Sequence, residues 1–231
     1  MTGLRLYLVR HGEPIRPDVF IGHADVGLSA RGLLQAEAAA RALADVPLAA
    51  IYSSDLERAT IGAARITALG PERPAPVILP ALREMNLGVL EGVAFRDGRA
   101  QVPELASIGY DDLFDHRLPG AESVRDLAER VLPCILALVA RHLRGPDASR
   151  RSPAPAIAVV AHNTVNRVVL ACAAGLGPAG YPRFEQAQGA LSRVDFPATW
   201  SAADPWATTR IGLVNWSPGA SETGETNRRA R

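Results

Sequence analysis

The stretch LRLYLVRHGE, Leu4 to Glu13, starts as an apolar run and ends on an adjacent arginine and histidine. Leu, Tyr and Val in LRLYLV (4–9) read as a strand buried on both faces, and Arg10-His11-Gly12 reads as the turn where it runs out. In an open α/β sheet, ligands bind outside the carboxyl ends of the strands. An Arg-His pair at that position is either an ordinary loop detail or part of a site, and the rest of the chain decides between the two.

The same strand, turn and helix alternation continues downstream. LSARGLLQAEAAARALA opens at Leu28 with Ser29 placed to cap a helix whose apolar face includes Leu33, Leu34 and Leu43. AAIYSS (49–54) and PVILP (76–80) read as strands, and DLERATIGAARITAL (55–69) as a helix between them. ESVRDLAERVLPCILALVARHL (122–143) reads as a long helix with an irregularity at Pro133. AIAVVAH (156–162) is a buried strand, and TVNRVVLACAAGL (164–176) a helix stopped by Gly177-Pro178. ALSRVDF (190–196) and RIGLVNW (210–216) are late strand candidates, and RGPDASRRSPAPA (144–156) and PATWSAADPWATTR (197–210) read as irregular connections. The pattern predicts an α/β fold, a three-layer α/β/α sandwich with a mostly parallel central sheet. It forms one domain over 1–216, with a small helical and loop cap inserted at about 94–121 and a polar, flexible tail over 217–231.

Composition removes several classes of function. The 231 residues carry 25 basic and 24 acidic side chains, a net charge of +1, so nothing draws the chain to nucleic acid or an anionic membrane. Every basic residue is arginine, which excludes Schiff-base chemistry and a P-loop lysine. Cys134 and Cys172 lie in apolar runs and read as small buried hydrophobes rather than a disulfide framework or a metal site. With neither a leader pattern nor a membrane-spanning run, a cytoplasmic enzyme without cofactor or metal is the expectation. A homodimer is compatible with the sequence, which dictates no oligomeric state.

Four features fall at the predicted strand ends. Arg10 and His11 follow the first strand, Ser53 to Arg58 the second, Arg83 and Glu84 the third, and His162 and Asn163 the fourth. Taken singly, Arg58 is also a solvated helix residue, His162 a satisfied core histidine, and Glu84 a surface partner of Arg83. Together they supply guanidinium forks, two imidazoles and one carboxyl, a set suited to holding and cleaving a phosphate ester.

On these residues the sequence resembles the histidine phosphatase superfamily, also called phosphoglycerate mutase-like. The resemblance rests on LVRHGE (8–13), GHADVGLSARGLLQA (22–36), IYSSDLERAT (51–60), LREMNLGVLEGV (82–93), PGAESVRDLAERV (119–131) and VVAHNTVNRVVL (159–170), in family order. It implies that His11 is the nucleophile and forms a phosphohistidine, that Arg10, Arg58 and His162 hold the phosphoryl oxygens, and that Glu84 is general acid and base. Arginines and a second, preferably protonated, histidine would offset the phosphoryl charge without a metal. Gly22 and His23 are carried as further pocket residues, with His23 equally a solvated loop residue. The family's common R-H-G-E-[TS]-x-x-N continues here with Pro14 and Pro17, so its Asn contact is absent or supplied elsewhere. Where many members have S-H-G-G, this chain has Ala161-His162-Asn163-Thr164, and the Asn163 backbone N–H remains a candidate phosphate donor.

Mutases of the family carry E-R-x-Y-G at the acid and a lysine for the substrate carboxylate. Here Glu84-Met85-Asn86-Leu87-Gly88 lacks the tyrosine and lysine is absent, which favours a phosphatase like the α-ribazole and sugar phosphatases. A phosphoglycerate mutase-type transferase or a catalytically weak phospho-ligand binding module are the alternatives, and retention of both His11 and Glu84 argues against the module. The expected substrate is a small phosphorylated metabolite. The cap would set its identity, and the mix of charges there, with Arg96, Arg99, Tyr110 and His116 as candidates that also read as solvated, suggests a polar one.

Overall fold

The computed structural model describes residues 2–106, 108, 113–143 and 154–219. In β1 (Thr2–Arg10) the side chains divide by parity, as an extended chain requires. Leu4, Leu6 and Leu8 join one hydrophobic core, and Tyr7 and Val9 join a second. The first core is completed by α4 (Val124–Leu143) and α5 (Asn163–Ala173), the second by α1 (Ala30–Ala42) and α2 (Glu57–Thr67). Helices thus cover both faces of the sheet, the expected three-layer arrangement. The other strands are β2 (Leu48–Ser53), β3 (Pro76–Ile78), β4 (Ala156–Ala161), β5 (Leu191–Pro197) and β6 (Arg210–Trp216).

The sheet runs β3-β2-β4-β1-β5-β6. β1 to β4 are mutually parallel, while β5 is antiparallel to β1 and β6 antiparallel to β5. β4 returns to lie directly beside β1, and the register matters more than the order. Arg10 pairs with Ala161, and Ser53 of β2 pairs with Val160. The next residues out of the sheet, His11, His162 and Ser54, therefore emerge side by side.

Two close contacts fix the turn that follows β1. Ser29 caps α1 by accepting a hydrogen bond from the Gly32 N–H at 3.0 Å, and its hydroxyl donates to Glu13 Oε1 at 2.8 Å. Gly12 and Gly32 let turn and helix touch, since a Cβ on Gly12 would lie 2.1 Å from the Gly32 carbonyl oxygen. At the other face, Ser123 and Asp126 form a reciprocal capping box at the start of α4.

Some local expectations shift. Leu34 is 64% exposed, and α1 packs instead through Ala36, Ala39, Ala40 and Leu43. Small side chains serve there because the helix lies close against α2 and the sheet. The long helix runs from 124 to 143 through Pro133 without interruption. Cys134 and Cys172 are free thiols, half-buried and buried. Nearly all of the tail expected over 217–231, most of the connection at 144–156, and Tyr110 lie outside the described residues. Among the described residues, no helix is long and apolar enough to cross a membrane.

Candidate active site

His11 is almost fully buried where β1 ends, its N–H donating to the Ala161 carbonyl at 3.1 Å. Its ring Nδ1 lies 2.6 Å from the Gly12 carbonyl oxygen. A carbonyl only accepts, so Nδ1 carries the proton and Nε2 keeps its lone pair. Burial above all, then the Arg10 and Arg58 guanidiniums, hold the His11 pKa well below its ordinary 6.5. The ring is therefore a neutral imidazole, the nucleophilic form.

His162 lies behind it, fully buried, with ring centroids 5.2 Å apart. The protein surroundings of His162 work against the protonated form expected of the second histidine. Burial, followed by Arg58, His11, Arg10 and Arg130, lowers its pKa well below the ordinary value. An incoming phosphate dianion would act in the opposite sense.

Arg58 enters from the first turn of α2 and is almost completely buried. It donates to the carbonyls of Ala24 at 2.9 Å and Gly22 at 2.7 Å. Burial lowers its pKa while Glu84, Asp25 and Glu91 oppose the change, and it remains a cation. Arg10 donates to the Gln186 carbonyl. Glu84 places its carboxyl oxygens against the N–H of Met85 at 2.9 Å and of Thr164 at 3.2 Å, the latter in the first turn of α5. Its neighbour Arg83 pairs instead with Asp55, so Glu84 is not a surface partner of Arg83.

Arg10, His11, Arg58 and Glu84 open on a cavity of about 310 Å³, lined also by Gly22, Asn163, Thr164 and Gln188 and by Pro14, Pro17, Val19, Phe20, Ile21, Met85, Leu87 and Phe95, whereas His162 stays buried behind His11 and does not line it. Gly22 and Asn163 thus reach the cavity as the sequence suggests. His23 does not line it: its Nε2 donates to the Glu84 backbone carbonyl at 2.8 Å, so it supports the Glu84 loop instead. Of the described cap residues only Phe95 lines the cavity, while Arg96, Arg99 and His116 do not.

Sequence reasoning missed the scaffold behind Glu84. Arg130 grips Glu122 through two nitrogens at 2.8 Å each and donates to the carbonyls of Ala81, Arg83 and Glu84. Burial would raise the Glu122 pKa, but Arg130 and the Asn86 N–H together hold it below the usual range. Both residues belong to the quoted stretch PGAESVRDLAERV, which carried no assigned role. Ser54 and Thr164 also lie in quoted motifs, whereas Gln188 sits in a loop with no signal. Among the described residues, no cluster of three metal-ligating side chains occurs.

The model of the histidine phosphatase superfamily (branch 1) matches residues 6–207. A probable phosphoglycerate mutase, GpmB of Erwinia tasmaniensis, is 27% identical over 215 residues, 92% of this chain and 94% of that protein. The adenosylcobalamin/α-ribazole phosphatase of Escherichia coli is 29% identical over 217 residues, 92% and 100% of the two chains. The solved structure of a mycobacterial glucosyl-3-phosphoglycerate phosphatase superposes with a TM-score of 0.77 at 25% identity, covering 91% of this chain and 98% of that one.

Proposed function

Since the chain belongs to the histidine phosphatase superfamily, we propose that it is a phosphomonoesterase acting on a small phosphorylated metabolite through a phosphohistidine on His11. The observation that carries this reading is the His11 ring, neutral and with Nδ1–H donated to the Gly12 carbonyl, in a cavity that also holds two arginines and one carboxyl.

Nε2 attacks phosphorus and the ester P–O bond breaks. The Glu84 carboxyl gives its proton to the departing alkoxide. Water then attacks the phosphohistidine, Glu84 takes its proton, and the P–N bond breaks to release phosphate and the free imidazole. Arg10 and Arg58 balance the charge on the transferring oxygens. His162 contributes an N–H from Nδ1, with the Ser54 hydroxyl, 2.7 Å from Nε2, donating to that nitrogen. The Asn163 N–H, at the start of α5, adds a backbone donor.

Hydrolysis is favoured over mutase chemistry because the chain has no lysine and the described cap places no charged side chain on the cavity wall to hold a substrate carboxylate. The test is hydrolysis of p-nitrophenyl phosphate by wild type and His11→Ala. Loss of turnover in the variant supports the proposal. Equal inactivity of both proteins, with binding of phosphorylated metabolites retained, would point to a binding module instead.

A further inference from the structure

The cavity lining divides by chemistry and by origin. Groups able to hold phosphate come from strand ends and helix starts, whereas Pro14, Pro17, Phe20, Ile21, Leu87 and Phe95 come from the loop after β1 and the approach to the cap. Phe20 and Phe95 meet edge to face, with centroids 4.8 Å apart and planes at 82°. Their backbones are laced together: Phe20 N–H donates to Val93 at 2.9 Å, Gly92 to Phe20 at 2.7 Å and Phe95 to Asp18 at 2.9 Å. Gly98, in α3 (Gly98–Gln101), backs the Phe20 ring so closely that a Cβ there would lie 2.8 Å from it. The pair is a built wall, yet Phe95 remains 53% exposed. Of the surrounding polar side chains, Arg16 donates to the Gly92 carbonyl, Arg96 lies 3.6 Å from Asp97, and His116 Nε2 lies 3.7 Å from Glu104.

We propose that this wall selects phosphate monoesters whose leaving group is an uncharged aromatic body, with Phe20 and Phe95 as the specificity determinants. The expectation of a polar substrate, drawn from the charges of the cap, is replaced by one drawn from the single described cap residue on the cavity. An aromatic leaving group would cover Phe95 and add a third ring to an edge-to-face pair. A carboxylate or polyol against these rings and prolines would lose water without gaining a partner from them. A cavity of about 310 Å³ admits the phosphate and a small ring system rather than a polymer or a long acyl chain.

This specificity rests on the phosphomonoesterase reading, so binding and turnover are measured separately. Calorimetry on His11→Ala compares 2-phenylethyl phosphate, glycerol 1-phosphate and 3-phosphoglycerate, and kcat/KM for the same esters is taken on wild type. The esters with alkyl leaving groups of similar basicity keep the chemistry comparable. The aromatic ester should bind at least about tenfold tighter than either polar ester. Phe95→Ala should shrink that gap, and Phe95→Arg should shift preference toward 3-phosphoglycerate. Should His11→Ala not fold, the wild-type kcat/KM ratios carry the same comparison. Equal or tighter binding of the polar esters, or a gap indifferent to both Phe95 variants, would overturn the proposal. Aromatic preference in binding without turnover of any ester would instead count against the phosphomonoesterase reading and leave the wall's selectivity standing.

Discussion

Ser54 Oγ lies 2.7 Å from His162 Nε2, and both residues are completely excluded from solvent. Burial holds the His162 pKa below its ordinary value; on the proposed mechanism the Ser54 hydroxyl donates to Nε2 and the ring proton sits on Nδ1, which has no hydrogen-bond partner among the described residues. An unmatched buried donor is costly unless a ligand uses it. On the proposed mechanism Ser54 is a positioning residue that presents the His162 N–H to a phosphoryl oxygen. Ser54→Ala should lower kcat about tenfold, the worth of one hydrogen bond, with little change in KM, and Ser54→Thr should restore most of the loss. Wild-type kcat in the alanine variant would remove that role.

Glu84 is held by the N–H groups of Met85 and Thr164, and from behind by Arg130 and His23 on its backbone carbonyl. In its proposed role as proton donor it should matter most when the leaving alkoxide is basic. Glu84→Gln should cost alkyl esters about 10²-fold or more in kcat, and an activated aryl ester much less. Equal losses across a series of leaving groups would show that Glu84 acts in some other way.

His11 and His162 are both buried as neutral rings, their pKa values held well below 6.5 chiefly by desolvation. Below pH 6.5 the unfolded chain takes up protons that the folded chain refuses. Stability is therefore complete above that pH and falls as pH drops beneath it, by up to about 1.4 kcal/mol per pH unit for each ring. Denaturant midpoints measured across pH should show this decline in wild type, and a flatter one when both histidines are replaced by asparagine. An unchanged slope in the double variant would place the proton uptake elsewhere.

Gly12 and Gly32 bring the turn carrying His11 onto the start of α1. Gly12→Ala would drive a methyl to within 2.1 Å of a backbone oxygen, and the helix cannot yield without losing its Ser29 cap. A loss of about 1–3 kcal/mol in unfolding free energy is expected, with a fall in activity as His11 shifts. A denaturant midpoint equal to wild type would contradict the tight packing.

The layers of the fold were legible because the strands are short and apolar and the helices periodic. In β1 the apolar run led directly to a turn bearing Arg10 and His11. The five candidate groups were singled out because they fall after predicted strands, and the β1–β4 register brings two of them, His11 and His162, together. Contacts decided by tertiary packing were not readable. Leu34 fits an apolar helical face yet points to water, because alanines suit the close approach of α1 and α2. His23 had the chemistry of a ligand contact but supports Glu84 instead. The Phe20–Phe95 wall joins residues far apart in the chain, and nothing periodic links them.

The central claim is that the phosphoryl group passes through His11. Rapid quenching of wild-type protein during turnover of a labelled aromatic phosphate ester, followed by peptide mapping under alkaline conditions, tests it most directly. The account predicts an acid-labile phosphoryl group on the peptide containing His11, formed and discharged at rates no slower than kcat, and absent from His11→Ala. Steady hydrolysis with His11 never labelled would contradict it.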